Sequence, residues 1–399
     1  MEWAQILKEK SLSVPNVGQQ MQLEVYGSAV AGKRIDLPFS FDEWEARAKA
    51  ALPENAYWYI AGAAGGGDTM RANREAFKRV QLIHRTLNDV SSRDISTEIF
   101  GTRIPAPFLL APIGVQGIMH ADGERAPARA AAATGIPFTL STVSSVTMEE
   151  IAGIMGDAPR WFQLYPARNR EIANSMVSRA EKSGYSAIVV TLDTPVLGWR
   201  EQDLRLGYLP FLAGKGIVNY FSDPVFRASL AKSPEEDPRA AIMQFLGVFT
   251  NPSFGWSDVD WLRSITKLPI LLKGVVHPDD ARKALDHGID GIVVSNHGGR
   301  QLDGEIGTLD ALPAIVEAVD EKMPLLIDSG VRHGADVIKA IALGAKGVML
   351  GRPYAYAMAS HGEEGVVHLI RSMMADIDLQ LALCGLTSIA GINRSVLAR

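Results

Sequence analysis

Eight short apolar segments, most ending on a polar residue or a glycine, recur along the chain and narrow the folds open to it. In order they are residues 107–114 (PFLLAPIG), 137–142 (PFTLST), 161–166 (WFQLYP), 187–193 (AIVVTLD), 269–274 (PILLKG), 291–296 (GIVVSN), 324–330 (PLLIDSG) and 347–352 (GVMLGR). Helix-like stretches lie between them at 124–134, 170–183, 278–287, 309–319 and 335–343. Strands that are apolar throughout, alternating with amphipathic helices, indicate a parallel sheet covered on its outer face. Eight such units predict an α/β protein of the (β/α)8 TIM-barrel type, with an open doubly wound sheet as the alternative. Barrel active sites lie at the C-terminal strand ends. The polar residues expected at that mouth include Ser141, Gln163, Tyr165, Thr191, Asp193, Lys273, Ser295, His297, Asp328 and Arg352.

Two regions fall outside the repeat. Residues 1–95 read as a helical segment, with a helix over 41–52 and Ser40 as its N-cap. The glycine-rich stretch 61–67 (AGAAGGG) follows a helical pattern rather than a strand, so it is no dinucleotide fingerprint. It predicts a mobile turn near the barrel mouth. Residues 201–255 separate the fourth and fifth strands, and their apolar content predicts a lid loop. The expected layout is a single domain over 1–399, with the barrel at 105–370 and a tail at 371–399.

Composition excludes several other classes. A formal charge of −5 gives no reason to expect a nucleic-acid partner. No apolar run is long enough to cross a bilayer, and the first ten residues lack a signal peptide's apolar centre. Cys384 is the only cysteine, which rules out an intrachain disulfide and a thiolate metal cluster, and no metal site is expected. A cytoplasmic location fits these facts.

The densest chemistry lies in residues 295–303 (SNHGGRQLD), directly after an apolar strand. His297 can exchange a proton near neutral pH, and Arg300 can grip a carboxylate through two parallel hydrogen bonds. The last two segments end in DSGVR (328–332) and GR (351–352). Glycines that let backbone N–H groups approach, with Arg332 and Arg352 beside them, suit the phosphate site that barrels often place after strands seven and eight. A flavin mononucleotide is the economical occupant, and a phosphorylated substrate is the alternative.

Together, SNHGGRQLD, LDTPVLGWRE (192–201), PILLKG and DSGVRHGADVIKAIALGA (328–345) resemble the FMN-dependent L-2-hydroxy acid oxidising enzymes, from about residue 41 to the C-terminus. Residues 111–115 (APIGV), 198–200 (GWR) and 219–226 (NYFSDPVF) resemble the lactate 2-monooxygenase branch of that family. The resemblance implies FMN as cofactor and His297 as the base, with Asp193 stabilising its imidazolium. It implies Arg200 and Arg300 as the carboxylate clamp, Tyr59 and Tyr165 as hydrogen-bond donors to substrate, and Lys273 beside the flavin N1/O2 edge. Pro112, Ile113, Gly114, Ser141, Gln163 and Thr191 would line the flavin. Ser295, Asp328, Gly330, Arg332, Gly351 and Arg352 would hold its ribityl chain and phosphate. The other histidines are expected at the surface or in packing. The implied partners are a small 2-hydroxy acid and O2, in a homotetramer or octamer.

Val143 stands where glycolate oxidase carries a tryptophan, and Gly114 where many relatives carry alanine. The second departure predicts extra space beside the reactive flavin face. With the lid, that space would retain the keto acid and favour oxidative decarboxylation of L-lactate to acetate, carbon dioxide and water. A simple oxidase releasing 2-oxo acid and hydrogen peroxide, a dehydrogenase with another acceptor, and a non-redox FMN barrel isomerase are the alternatives.

Overall fold

The computed structural model describes residues 16–398, so the reading of the first ten residues lies outside it. An antiparallel hairpin, β1 (Thr97–Ile99) and β2 (Thr102–Ile104), follows the N-terminal helices and precedes the barrel. The eight apolar segments then form one closed parallel barrel: β3 (Phe108–Leu110), β4 (Phe138–Ser141), β5 (Arg160–Leu164), β6 (Ile188–Thr191), β7 (Ile270–Lys273), β8 (Gly291–Val294), β9 (Leu325–Ile327) and β10 (Gly347–Leu350). β10 pairs with β3 and completes the ring.

Alternation along each strand divides the core in two. Ile188 and Val190, Ile270 and Leu272, Ile292 and Val294 face outward into the large core shared with the helices. Val189, Leu271, Val293, Leu326, Met349 and Trp161 point inward and form a separate cluster with Ile99 and Ile104 of the hairpin, which therefore plugs the barrel floor. Because side chains repeat with period two, the next inward positions on β6 and β7 are Thr191 and Lys273, paired in register. On β4 and β5 they are Ser141 and Gln163, likewise paired. Parity thus carries polar groups to the top of an otherwise apolar interior.

The N-terminal segment caps this mouth. Helix Phe41–Ala51 starts where expected, with Ser40 Oγ accepting from the Glu43 amide. The glycine-rich stretch is not loose: the Ala64 amide donates to Gly299 O at 2.9 Å and the Gly65 amide to Trp199 O at 2.8 Å. Residues 201–255 fold into short helices, of which Pro238–Phe249 is the longest. Buried Asn219 fastens them to the barrel by accepting from the Met148 amide and donating to Thr142 O and Ser144 Oγ. The helix Arg352–Leu383, kinked at His361 and Gly362, runs straight across position 371, so the expected tail begins inside a helix. No helix among the described residues is long and apolar enough to cross a membrane.

Candidate active site

One cavity at the C-terminal mouth brings together most of the residues singled out by the sequence. Its wall includes Tyr59, Pro112, Ile113, Gly114, Tyr165, Arg200, Lys273, His297, Arg300, Asp328, Gly330, Arg332, Gly351 and Arg352.

A hydrogen-bonded imidazole–carboxylate pair comes from the ends of β6 and β8. His297 Nδ1 lies 2.7 Å from Asp193 Oδ1. This contact assigns the ring proton on Nδ1 to the carboxylate and leaves Nε2 as the basic nitrogen. The backbone at His297 is left-handed, with φ 57°, and Gly298 and Gly299 continue with positive φ. Gly299 has no alternative, because a Cβ there would lie 2.6 Å from the Met70 amide nitrogen. The turn is held by Ser295 Oγ, which accepts from the His297 amide at 3.1 Å. Burial alone would raise the Asp193 carboxyl, but the charges of His297 and Lys273 and two hydrogen bonds outweigh it and hold it down at about 2. Burial pushes the His297 imidazole below its ordinary value, only partly offset by Asp193. At neutral pH the pair is therefore carboxylate and neutral imidazole, the state required of a general base.

Lys273, from the end of β7, donates to Ser295 Oγ at 2.9 Å and lies 3.2 Å from Asp328 Oδ2. Burial disfavours its charge, but the Asp328 and Asp193 carboxylates outweigh that and raise its pKa. It is a fixed cation inside the barrel mouth. Beside it, Gln163 links three strands, accepting from Ser141 Oγ at 2.9 Å and donating to Thr191 Oγ1 at 2.9 Å.

Four arginines surround the rest of the cavity with few carboxylates to balance them. The Arg300 guanidinium lies over the Tyr59 ring and donates to Gly62 O at 3.0 Å. Burial, then the charges of Arg200 and Arg352, push its pKa down to about 9, so it stays charged at neutral pH. Burial and neighbouring arginines do the same to Arg332, whose Nε has no hydrogen-bond partner. Its guanidinium stacks on Phe41 at 3.9 Å. Concentrated, desolvated positive charge of this kind suits two anions, such as a carboxylate and a phosphate.

Two expectations change in detail. Arg352 spends its side-chain nitrogens on the carbonyls of Ile60, Gly298 and Gly62, at 3.0, 2.9 and 2.9 Å. What it presents to an anion is its place at the N-terminus of helix Arg352–Leu383, where backbone N–H groups and the helix dipole favour negative charge. Gly114 does not leave extra space. A Cβ at that position would meet Val143 Cγ2 at 2.6 Å and Val143 O at 2.8 Å, so Val143 occupies the room the missing methyl frees.

Sequence reasoning passes over Gln301, although it stands inside the SNHGGRQLD motif. Its Oε1 accepts from Arg200 at 2.6 Å, and its Nε2 donates to Asp193 O at 2.9 Å, which ties the loop after β8 to the chain that carries Asp193 and Arg200. Glu124 carries no signal in the sequence either. It is fully buried, and its Oε1 accepts from the Gln116 and Ser145 amides, clipping together the loops after β3 and β4. Leu197, Phe211 and Phe249 complete the cavity wall from the chain after β6. The remaining histidines do other work; His368 and His361, for example, pack against Trp44.

The cavity fits FMN on the chain's own terms: a buried cation at the β7 end, a linked polar row on β4 to β6, and an underused arginine near a long helix's N-terminus. A barrel whose mouth carries a buried cation, a linked polar row and clustered arginines has the lining a flavin-dependent enzyme acting on a small anion would need. The chain belongs to the FMN-dependent dehydrogenase family, whose model matches residues 48–399. It is 45% identical over 362 residues to an L-lactate oxidase of Lysinibacillus sphaericus, covering 91% of this chain and 93% of that protein. It is also 45% identical over 358 residues to an FMN-dependent alpha-hydroxy acid dehydrogenase of Penicillium citrinum, covering 89% of each. Among solved structures, mandelate oxidase superimposes with a TM-score of 0.80 at 37% identity, covering 90% of this chain and 98% of that one. The cofactor is FMN, and the class shared with these relatives is FMN-dependent oxidation of 2-hydroxy acids.

Proposed function

We propose that the protein oxidises a small L-2-hydroxy acid, with L-lactate as the first choice, and passes the electrons to O2. The observation that carries this reading is the Asp193–His297 pair sharing one cavity with Arg200 and Arg300. Arg200 and Arg300 hold the substrate carboxylate, and Tyr59 and Tyr165 donate hydrogen bonds to the substrate. Burial raises both phenols, Tyr165 to about 12, so they remain donors at neutral pH. His297 Nε2 takes a proton from the substrate, and Asp193 stabilises the resulting imidazolium. The cofactor is held by Pro112, Ile113, Gly114, Ser141, Gln163, Thr191, Lys273, Ser295, Asp328, Gly330, Arg332, Gly351 and Arg352. FMN, when bound, supplies the two-electron acceptor.

The fate of the product has two readings. The segments shared with the lactate 2-monooxygenase branch, and a cavity walled by Phe211 and Phe249, favour oxidative decarboxylation to acetate, carbon dioxide and water. The name of the Lysinibacillus relative favours release of pyruvate and hydrogen peroxide. With Val143 filling the space beside Gly114, the enclosing wall is what supports the first reading. Incubation with L-lactate under air distinguishes the two: acetate without peroxide supports decarboxylation, whereas equal amounts of pyruvate and peroxide support a simple oxidase. No oxygen uptake with a panel of L-2-hydroxy acids contradicts both, and points to another electron acceptor or to non-redox chemistry. A cytoplasmic homotetramer or octamer completes the proposal.

A further inference from the structure

A second cavity of about 270 Å³ lies beside the first, above the ends of β5, β6 and β7. Its wall includes Pro166, Pro195, Phe254, Trp256, Val259 and Val275. Among the described residues, only Tyr165, Thr194 and Phe249 line both cavities. Thr194 is committed to the base pair, since its Oγ1 donates to Asp193 Oδ1 at 3.1 Å. Tyr165 is assigned above to the substrate. Phe249 has no polar role and is surrounded by rings. It meets Tyr165 edge-on at 5.1 Å, stacks on Phe245 at 5.1 Å and lies 5.4 Å from Phe211. As the last residue of helix Pro238–Phe249, it is placed by the chain between β6 and β7 rather than by the barrel.

We propose that Phe249 sets the length of substrate the enzyme accepts, by closing the substrate cavity against the second cavity, whose wall is mostly apolar with Asn251 and Asp280 among its polar members. This rests on the 2-hydroxy acid reading above. The substrate's polar end is fixed at Arg200, Arg300 and His297, so only its C2 substituent can vary in length. With the ring in place, that substituent is confined to the first cavity. With the ring removed, a linear alkyl chain continues into the second. Each buried methylene is worth about 0.8 kcal/mol, roughly fourfold in affinity, so the preference among chain lengths should move steeply.

The test uses the FMN-loaded enzyme and measures anaerobic flavin reduction with L-2-hydroxy acids of three to ten carbons. In the wild type, the apparent dissociation constant should be lowest for the short acids. Phe249→Ala should improve 2-hydroxyoctanoate relative to lactate by about tenfold or more, with the gain growing along the series until the second cavity is full. Val275→Phe in the Phe249→Ala background should remove that gain; if the double variant does not fold, the chain-length series of the single variant decides alone. An unchanged profile in Phe249→Ala overturns the proposal. So does a wild type that takes 2-hydroxyoctanoate as well as lactate, or a variant altered only in its reaction with oxygen. Wild-type flavin that no acid in the series reduces would instead defeat the 2-hydroxy acid reading itself.

Discussion

Glu124 shows how much a single buried carboxyl contributes away from the reacting atoms. Burial raises it from 4.5 to about 7, against the pull of the Ser145 and Gln116 amides it binds. A carboxyl raised on folding stabilises the native state fully below its unfolded value and loses that contribution as pH rises through the folded one. Glu124→Gln keeps an acceptor oxygen for both amides but cannot ionise. Its stability relative to the wild type should therefore rise by about 3 kcal/mol between roughly pH 4.5 and 7, as urea unfolding would show. A difference that does not vary with pH would mean that Glu124 is already ionised throughout. His297 titrates with the opposite consequence. Since burial lowers its pKa, the rate of flavin reduction should stay level through neutrality and fall only below pH 6.5. An acid limb above that value would contradict the buried, neutral imidazole. His297 and Asp193 are legible in sequence because each stands just past an apolar strand. Gly114 misleads because a sequence shows that a methyl is missing, not that Val143 stands where it would point.

The strands are the most readable elements, for a definite reason. Strands buried on both faces leave an uninterrupted apolar signal, and inward parity then decides which polar residue at each end faces the mouth. Ser141, Gln163, Thr191 and Lys273 follow from counting alone. The chain between β6 and β7 is readable only as an apolar interval, because its shape depends on partners distant in sequence. Asn219 binds backbone and side-chain groups of residues 142–148, and Asp223 pairs with Arg179 on another helix. Asn219→Ala would leave buried amide and carbonyl groups unpaired, at about 1–3 kcal/mol for each. A clear drop in Tm is expected, together with weaker substrate binding as the Phe211 and Phe249 wall loosens. An unchanged Tm would show that these segments are not fastened there.

Across the whole molecule, the N-terminal segment and the long final helix hold the barrel mouth between them. Arg352 and Arg300 both donate to carbonyls at the end of the helix carrying Tyr59. At the far end of the final helix, Asp378 accepts from Arg93 at 2.8 and 2.7 Å and from the Gly18 amide at 2.9 Å, with both charged side chains almost fully buried. Asp378→Ala would strand the Arg93 charge, and a loss of about 3–5 kcal/mol is expected in urea unfolding of the FMN-loaded protein. A loss under about 1 kcal/mol would mean that water reaches the pair. We propose that this mouth assembles an acid–base pair and a carboxylate clamp around FMN. The most direct test is anaerobic mixing of the FMN-loaded enzyme with L-lactate while the yellow absorbance is followed. The wild type should bleach, and His297→Gln should keep its FMN but bleach about 10²–10⁴-fold more slowly. Bleaching at the wild-type rate in that variant would contradict the account.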